Sequence, residues 1–115
     1  MKLFRLILVK LGVISKPTYT SRFYITHPSD KAIKNGEIAV VRDGKLLKWC
    51  RFRCPCGCEE IILLSLGQSR SPRWQVNIDW LERPTLSPSV RRLDGCKSHF
   101  WVKGGKIDWC SDYSN

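Results

Sequence analysis

The sequence predicts one β-dominated domain, a small antiparallel sheet or partly open barrel with two hairpins, stapled by a metal ion. Three observations predict it. Apolar residues alternate with period two, or run on continuously, through most of residues 36–110, without a repeat or heptad. Two turn signals, Asp43-Gly44 and Lys103-Gly104-Gly105, each separate a pair of such stretches. Three cysteines crowd into Cys54-Pro55-Cys56-Gly57-Cys58, and a fourth opens Cys96-Lys97-Ser98-His99.

In chain order, residues 1–20 form an apolar lead segment, either a first strand or an amphipathic arm. Arg5 and Lys10 interrupt its apolar run and no small-residue cleavage site follows, so neither a signal peptide nor a membrane span is expected. Residues 22–26 read as a short strand, ended by His27-Pro28-Ser29-Asp30. Residues 29–35 can hold one helical turn, with Ser29 or Asp30 as its N-cap. Strands over 37–42 and 45–52 flank Asp43-Gly44, where both central residues of a two-residue hairpin need φ > 0.

After the cysteine knuckle, residues 60–66 are continuously apolar, as a buried strand would be, and 67–72 form a polar loop. Residues 74–80 alternate strictly, putting Trp74, Val76, Ile78 and Trp80 on one face. Residues 84–90 are extended, and Pro84 and Pro88 confine them to an edge or a bulge. A second hairpin joins 98–102 to 106–110. The whole is roughly six to eight short strands in a single domain over 1–115, with an N-terminal region at 1–35 and a metal-bound core at 36–110.

A chain of 115 residues with 43% apolar and 26% charged residues is globular rather than disordered. Its formal charge of +10 favours an acidic partner, nucleic acid or protein, over a neutral one; the plainer reading is a basic solvated surface. Six cysteines in a reducing cytoplasm read as metal ligands or buried thiols.

Thiols packed as closely as Cys54, Cys56 and Cys58 do not suit disulfides, which need Cα atoms about 4.4–6.8 Å apart and suitably aimed Cβ vectors. They suit zinc, because a knuckle with Pro and Gly can converge several sulfurs on one tetrahedral ion. The candidates are Cys50, Cys54, Cys56, Cys58, Cys96, His99 and Cys110, too many for four places. The expected set is Cys54, Cys58, Cys96 and Cys110, with Cys56 able to replace Cys58. Cys110 is included because the last hairpin returns the chain toward Cys96. One ion held by four thiolates leaves no open position and is structural. Cys50 is expected to be a small buried hydrophobe. With His99 as fourth ligand, the site would instead hold three thiolates and an imidazole.

Pro84-Thr85-Leu86-Ser87-Pro88-Ser89 carries hydroxyls at alternate positions, so an extended backbone puts Thr85, Ser87 and Ser89 on one face. A rigid strand of this kind can hold a serine beside an imidazole, and a serine needs such a base to become nucleophilic. His99 is the candidate partner. From composition alone the commoner reading is a turn-forming serine and a packed histidine.

The ordered set Arg53-Cys54-Pro55-Cys56-Gly57-Cys58, Trp74, Pro84-Thr85-Leu86-Ser87-Pro88-Ser89, Cys96-Lys97-Ser98-His99-Phe100-Trp101-Val102 and Gly105-Lys106-Ile107-Asp108-Trp109-Cys110 resembles a small bacterial zinc-binding family. That family, long without an assigned function, is encoded beside bacterial ubiquitin-like (Bub) conjugation genes, and its members are the BubE-like serine peptidases. The resemblance covers about residues 36–110. It implies hydrolysis at the C-terminus of a ubiquitin-like protein, its precursor or its conjugates, with the cognate conjugating enzymes as a further expected partner class.

Carried onto this chain, the resemblance makes a serine of residues 84–89 the nucleophile and His99 the base. Ser89 is preferred, since its backbone N–H follows Pro88 and could assist an oxyanion, and Ser87 is the alternative. Asp108, on the strand hairpin-paired with that of His99, is the first choice for an orienting acid, with Asp79 and Asp94 as rivals and a two-residue Ser/His site as the remaining option. An extended substrate tail could add along the edge formed by residues 84–89.

The rival class is a non-enzymatic zinc ribbon that binds nucleic acid or an acidic protein through its basic, aromatic-rich β surface. A zinc enzyme with an open site is a third class, but no acid shows the ligand-and-base spacing it would need.

Overall fold

A computed structural model of the chain describes residues 2–12, 17–67, 69 and 71–110. The expectations for 1–20 and for the loop at 67–72 therefore fall partly, and the tail at 111–115 wholly, outside the described residues. Those described form helix α1 (Lys2–Lys10) and eight strands: β1 (Thr20–Tyr24), β2 (Glu37–Asp43), β3 (Leu46–Arg53), β4 (Ile61–Ser65), β5 (Gln75–Ile78), β6 (Pro84–Arg91), β7 (His99–Lys103) and β8 (Lys106–Trp109). A single 3-10 turn spans Asp30–Ala32 after Ser29, whose side chain makes no capping bond.

The strands make two four-stranded sheets, ordered β1-β2-β3-β4 and β5-β6-β7-β8, neither of them closed into a barrel. All pairings are antiparallel except β1 with β2, which run parallel. One core lies between the sheets. Ile38, Val40, Cys50, Phe52, Ile62 and Leu64 come from the first, and Leu86, Val90, Phe100 and Val102 from the second. Phe52 meets Phe100 edge-on at 6.4 Å, joining the two layers, and Tyr19 stands edge-on to Phe52 at 5.4 Å.

Four expectations are corrected. Of the strand and the amphipathic arm expected of the lead segment, the strand is not formed: residues 2–10 are helical, and Arg5 anchors them by donating from Nη1 to the Leu81 carbonyl (2.8 Å) and to Glu82 Oε1 (2.9 Å). The groups that receive Arg5 lie far away in sequence. No helix among the described residues is long and apolar enough to cross a membrane.

The first hairpin turns at Gly44-Lys45, since Asp43 pairs with Leu46, one residue later than the Asp43-Gly44 signal. Gly44 then takes the first central position with φ of 59°. The second hairpin turns on Gly104-Gly105, both at positive φ, as a two-residue turn of that handedness demands. At Gly105 a Cβ would come within 2.5 Å of the Tyr19 carbonyl, so no larger residue fits that crossing.

The alternation over 74–80 also stops early. Trp74, Val76 and Ile78 pack on the core, but Trp80 lies beyond β5, 57% exposed and edge-on to Phe4 of α1 at 5.4 Å. Finally, of the edge and the bulge expected of residues 84–90, the bulge forms and the edge does not, since β6 is an interior strand with β5 on one side and β7 on the other. Pro84 opens the strand, and Pro88 is accommodated by an irregularity. Leu86 faces Val102 while Val90 faces Phe100, so four steps along β6 match two along β7.

Candidate functional site

That slip sets the position of Ser89. Arg91 faces His99 directly, and Ser89 lies two residues back along β6, the diagonal neighbour of the imidazole. The side chains meet: Ser89 Oγ is 2.9 Å from His99 Nε2. Both are half-buried, and Val90 and Phe100, pointing the other way into the core, hold the two strands in place. The Trp74 indole N–H donates to the Ser89 carbonyl (3.3 Å), tying the slipped stretch to the start of β5.

The other hydroxyls of this strand are placed differently. Ser87 is exposed and faces Gln75 of β5, and Thr85 Oγ1 accepts the Gly104 N–H at 2.9 Å. The candidate acids are dispersed. Asp108 faces Trp101 and accepts from Lys103 Nζ at 3.4 Å on an exposed surface; no hydrogen bond among the described residues joins it to His99. Asp79 closes a turn, accepting from the Leu81 and Arg83 N–H groups and from Arg83 Nε. Asp94 is exposed, and its carbonyl accepts the Lys97 N–H.

The sulfurs of Cys54, Cys56, Cys58 and Cys96 all lie within 4.8 Å of one another and could hold a metal ion. Three come from the knuckle between β3 and β4, where Gly57 (φ 93°) and Glu59 (φ 67°) bend the chain back and the Cys54 N–H donates to the Glu60 carbonyl. The fourth comes from the reversal between β6 and β7, closed by Arg92 N–H to Ser98 carbonyl at 2.8 Å. Cys54 Sγ is 3.4 Å from Cys56 Sγ and 3.6 Å from Cys96 Sγ. A tetrahedral ion with bonds near 2.3 Å spaces its sulfurs by about 3.8 Å, so the donors fit.

Cys56 and Cys58 thus both belong to the cluster, and Cys110 does not. The last hairpin brings Cys110 opposite His99, where its N–H donates to the His99 carbonyl. Cys96, three residues earlier, has turned away toward the knuckle.

Electrostatics separate these thiols. Burial first, and then the Cys56 and Cys96 thiols, push Cys54 up to about 12, against the bonds from the Cys56 N–H and the Ser98 side chain that favour its thiolate. For Cys96 burial acts in the same sense, but bonds from the Ser98 hydroxyl and N–H and from the Cys56 and Cys54 thiols outweigh it and bring the thiol down to about 6. Cys50, wholly buried in the core, is pushed up to about 12 by burial alone and is an inert apolar filler, as expected.

Two supporting residues went unread in the sequence. Ser98 is fully buried, with its Oγ 3.1 Å from Cys96 Sγ and 3.6 Å from Cys54 Sγ. Arg92 is held by Glu60 (2.5 Å), and its charge is favoured first by that hydrogen bond and then by the nearby Cys96 and Cys54. A guanidinium here offsets the negative charge of clustered thiolates. Only the spacing of Ser98, two residues from Cys96, could have hinted at it.

The comparisons with curated proteins and with solved structures gave no match. Comparison with protein families matched residues 25–110 to the family described as bacterial ubiquitination-like system serine protease (BubE). The match runs from the end of β1 to Cys110 and takes in the Ser89–His99 pair and all four clustered cysteines. The chain belongs to the BubE family of serine proteases of bacterial ubiquitination-like systems.

Proposed function

We propose that this protein is a serine hydrolase that cuts at the C-terminus of a ubiquitin-like protein, releasing it from a precursor or a conjugate, with Ser89 as nucleophile and His99 as base. The observation that carries the proposal is the 2.9 Å separation of Ser89 Oγ and His99 Nε2 within the family-matched segment. A base must reach the proton it removes, and this distance satisfies that requirement.

With its proton on Nδ1, His99 accepts the Ser89 hydroxyl proton at Nε2 while Oγ bonds to the substrate's carbonyl carbon. The Ser89 N–H, beside Pro88, would serve the oxyanion. Collapse breaks the bond from the acyl carbon to the leaving group, which takes the proton from His99. A water then gives its proton to His99 and attacks the acyl ester, and Ser89 recovers its hydrogen.

The four thiolates of Cys54, Cys56, Cys58 and Cys96 would hold one structural zinc, which ties the knuckle to the 92–98 reversal leading directly into His99. Cysteines spaced as metal ligands rather than as disulfide partners fit a cytoplasmic site of action. The net charge of +10 would steer an acidic substrate. Because β6 is an interior strand, the tail would cross the face of the second sheet rather than extend it.

The test is labelling of the purified protein by a fluorophosphonate, with peptide mapping and metal analysis of wild type and His99→Ala. Labelling of Ser89 that requires His99, with equal zinc in both proteins, supports the reading. Absence of labelling overturns it and leaves a binding module.

A further inference from the structure

Helix α1 reverses the usual arrangement of a surface helix, which buries its apolar side chains. Its buried side chain is Arg5, while Leu3, Phe4, Leu6, Ile7 and Leu11 are each between 45% and 72% exposed. Leu11 belongs to the same surface, because its N–H donates to the Ile7 carbonyl (2.9 Å) and continues the helical path past Lys10. Among the described residues, the core between the sheets takes nothing from α1. At about 100° per residue, Leu6, Leu3, Ile7, Leu11 and Phe4 follow one another around roughly half of the helix, on the side away from Arg5. Trp80, also exposed, meets Phe4 edge-on at 5.4 Å and carries this apolar surface onto the body of the protein.

Charge decides what covers it. Lys2 and Lys10 are exposed at the two ends of α1, and residues 2–24 contain no acidic side chain. The acids nearest the helix are engaged, Glu82 by Arg5 and Asp79 by Arg83. An apolar face framed by lysines matches a surface that is anionic at its boundary and apolar just beneath. A second copy would instead bring one chain of charge +10 against another. The face is also convex, a shape to which a fluid bilayer conforms without a preformed groove.

We infer that α1 is an interfacial helix, lying in the plane of an anionic lipid surface with Leu3, Phe4, Ile7 and Leu11 among the upper acyl chains and Lys2 and Lys10 at the headgroups. Its nine residues extend about 14 Å, well short of a hydrocarbon core of about 30 Å, so it lies along the bilayer and not across it. Trp80 takes the headgroup level, where indoles concentrate. Because α1 precedes the family-matched residues 25–110, the inference concerns where the domain is held and is independent of the serine-hydrolase reading.

The test mixes the full protein with vesicles of roughly three parts phosphatidylcholine to one of phosphatidylserine, and with vesicles of phosphatidylcholine alone, and measures the bound fraction by flotation. Binding to the anionic vesicles is expected to be at least about tenfold tighter and to weaken as salt is raised. Lys2→Gln with Lys10→Gln should weaken it by about tenfold or more, since each lysine at such a surface contributes about fivefold. Leu3→Gln, Ile7→Gln and Leu11→Gln together leave the charge unchanged and should also weaken it by about tenfold or more. Thermal unfolding of this triple variant should match wild type, because all three side chains lie outside the core. Equal binding to both kinds of vesicle, or none to either, overturns the inference. So does anionic binding that survives the triple substitution, which would assign it to the basic strands. No vesicle binding, with a dimer that the triple substitution dissolves, would give the face to a second copy.

Discussion

Ser89 and His99 meet at 2.9 Å across a strand pair whose register slips beside them. The slip puts two extra residues on β6 between Leu86 and Val90, and Ser87, within that stretch, is exposed and faces Gln75 of β5. The two serines should therefore behave differently. Ser89→Ala and His99→Ala are each expected to reduce turnover of a ubiquitin-like fusion by about 10⁴-fold, whereas Ser87→Ala stays within a few-fold of wild type. Single-turnover cleavage assays on the three variants check this. A large loss in Ser87→Ala with retention in Ser89→Ala would reverse the assignment.

The cysteine cluster, with the proposed zinc, makes a second prediction, on which cysteine is dispensable. Cys110→Ser should keep one zinc per chain, because Cys110 lies outside the four clustered sulfurs. Cys54→Ser and Cys96→Ser should lose it, and with it several kcal/mol of stability, roughly the scale on which structural zinc ties small domains. Activity should fall with the metal, since Cys96 lies in the reversal that leads into His99 and its sulfur is one of the four that cluster. Elemental analysis and thermal melts, with and without a chelator, measure both effects. Loss of zinc in Cys110→Ser would restore the set expected from the hairpin alone.

The residues that declared themselves in the sequence are those whose chemistry is local. The Cys54–Cys58 knuckle, the Gly104-Gly105 turn and the alternation through Val76 and Ile78 each carry their reason within a few neighbours. What depended on distant partners was not legible. The helix of residues 2–10 is docked by Arg5 on Leu81 and Glu82, more than seventy positions away. β6 could sit inside a sheet because Pro84 opens the strand and Pro88 falls within the register slip, and no residue pattern encodes how many residues a bulge absorbs. The same slip decides the relation of Ser89 to His99. Cys110 was misplaced for a related reason: hairpin length brought it to His99, but the turn at Gly95 and Lys97, both at positive φ, carries Cys96 elsewhere.

Asp108 provides a third prediction. Its carboxylate is exposed and engaged by Lys103, whose ammonium also lies 5.3 Å from the Trp101 ring. Asp108→Asn is therefore expected to leave turnover within about threefold of wild type, where loss of an acid that orients the base costs about 10⁴-fold. Steady-state kinetics of this one variant, with its pH profile, decides between them. A drop of that larger size would make Asp108 the orienting group in the substrate complex.

The last prediction concerns Asp79, which holds the 79–83 turn on which α1 is anchored. Its Oδ1 accepts from Leu81 N–H (3.0 Å) and Arg83 N–H (2.9 Å), and its Oδ2 accepts from Arg83 Nε (2.6 Å). Partial burial pushes the carboxyl upward, but the bonds from the Arg83 backbone and side chain and from Leu81, with the Arg83 charge, outweigh it and hold it below the ordinary carboxylate range. A group whose pKa is lower in the folded protein binds fewer protons there than in the unfolded chain. Its contribution is therefore complete above the unfolded value of about 3.9 and is lost as pH falls through the lower folded value. Asp79→Asn, which removes the charge and retains an oxygen acceptor, should destabilise the protein at neutral pH by about 1 kcal/mol. The gap to wild type should begin to narrow below about pH 4, where Asp79 of the unfolded chain takes up its proton, and close as pH falls through the lower folded value. Urea denaturation of both proteins across that range measures the gap directly. A gap that stays constant with pH would mean that the oxygen geometry, and not the charge, supports the turn. Because Leu81 and Glu82 receive Arg5, the variant should also expose the α1 amides to faster hydrogen exchange, while the amides of β7 keep their protection.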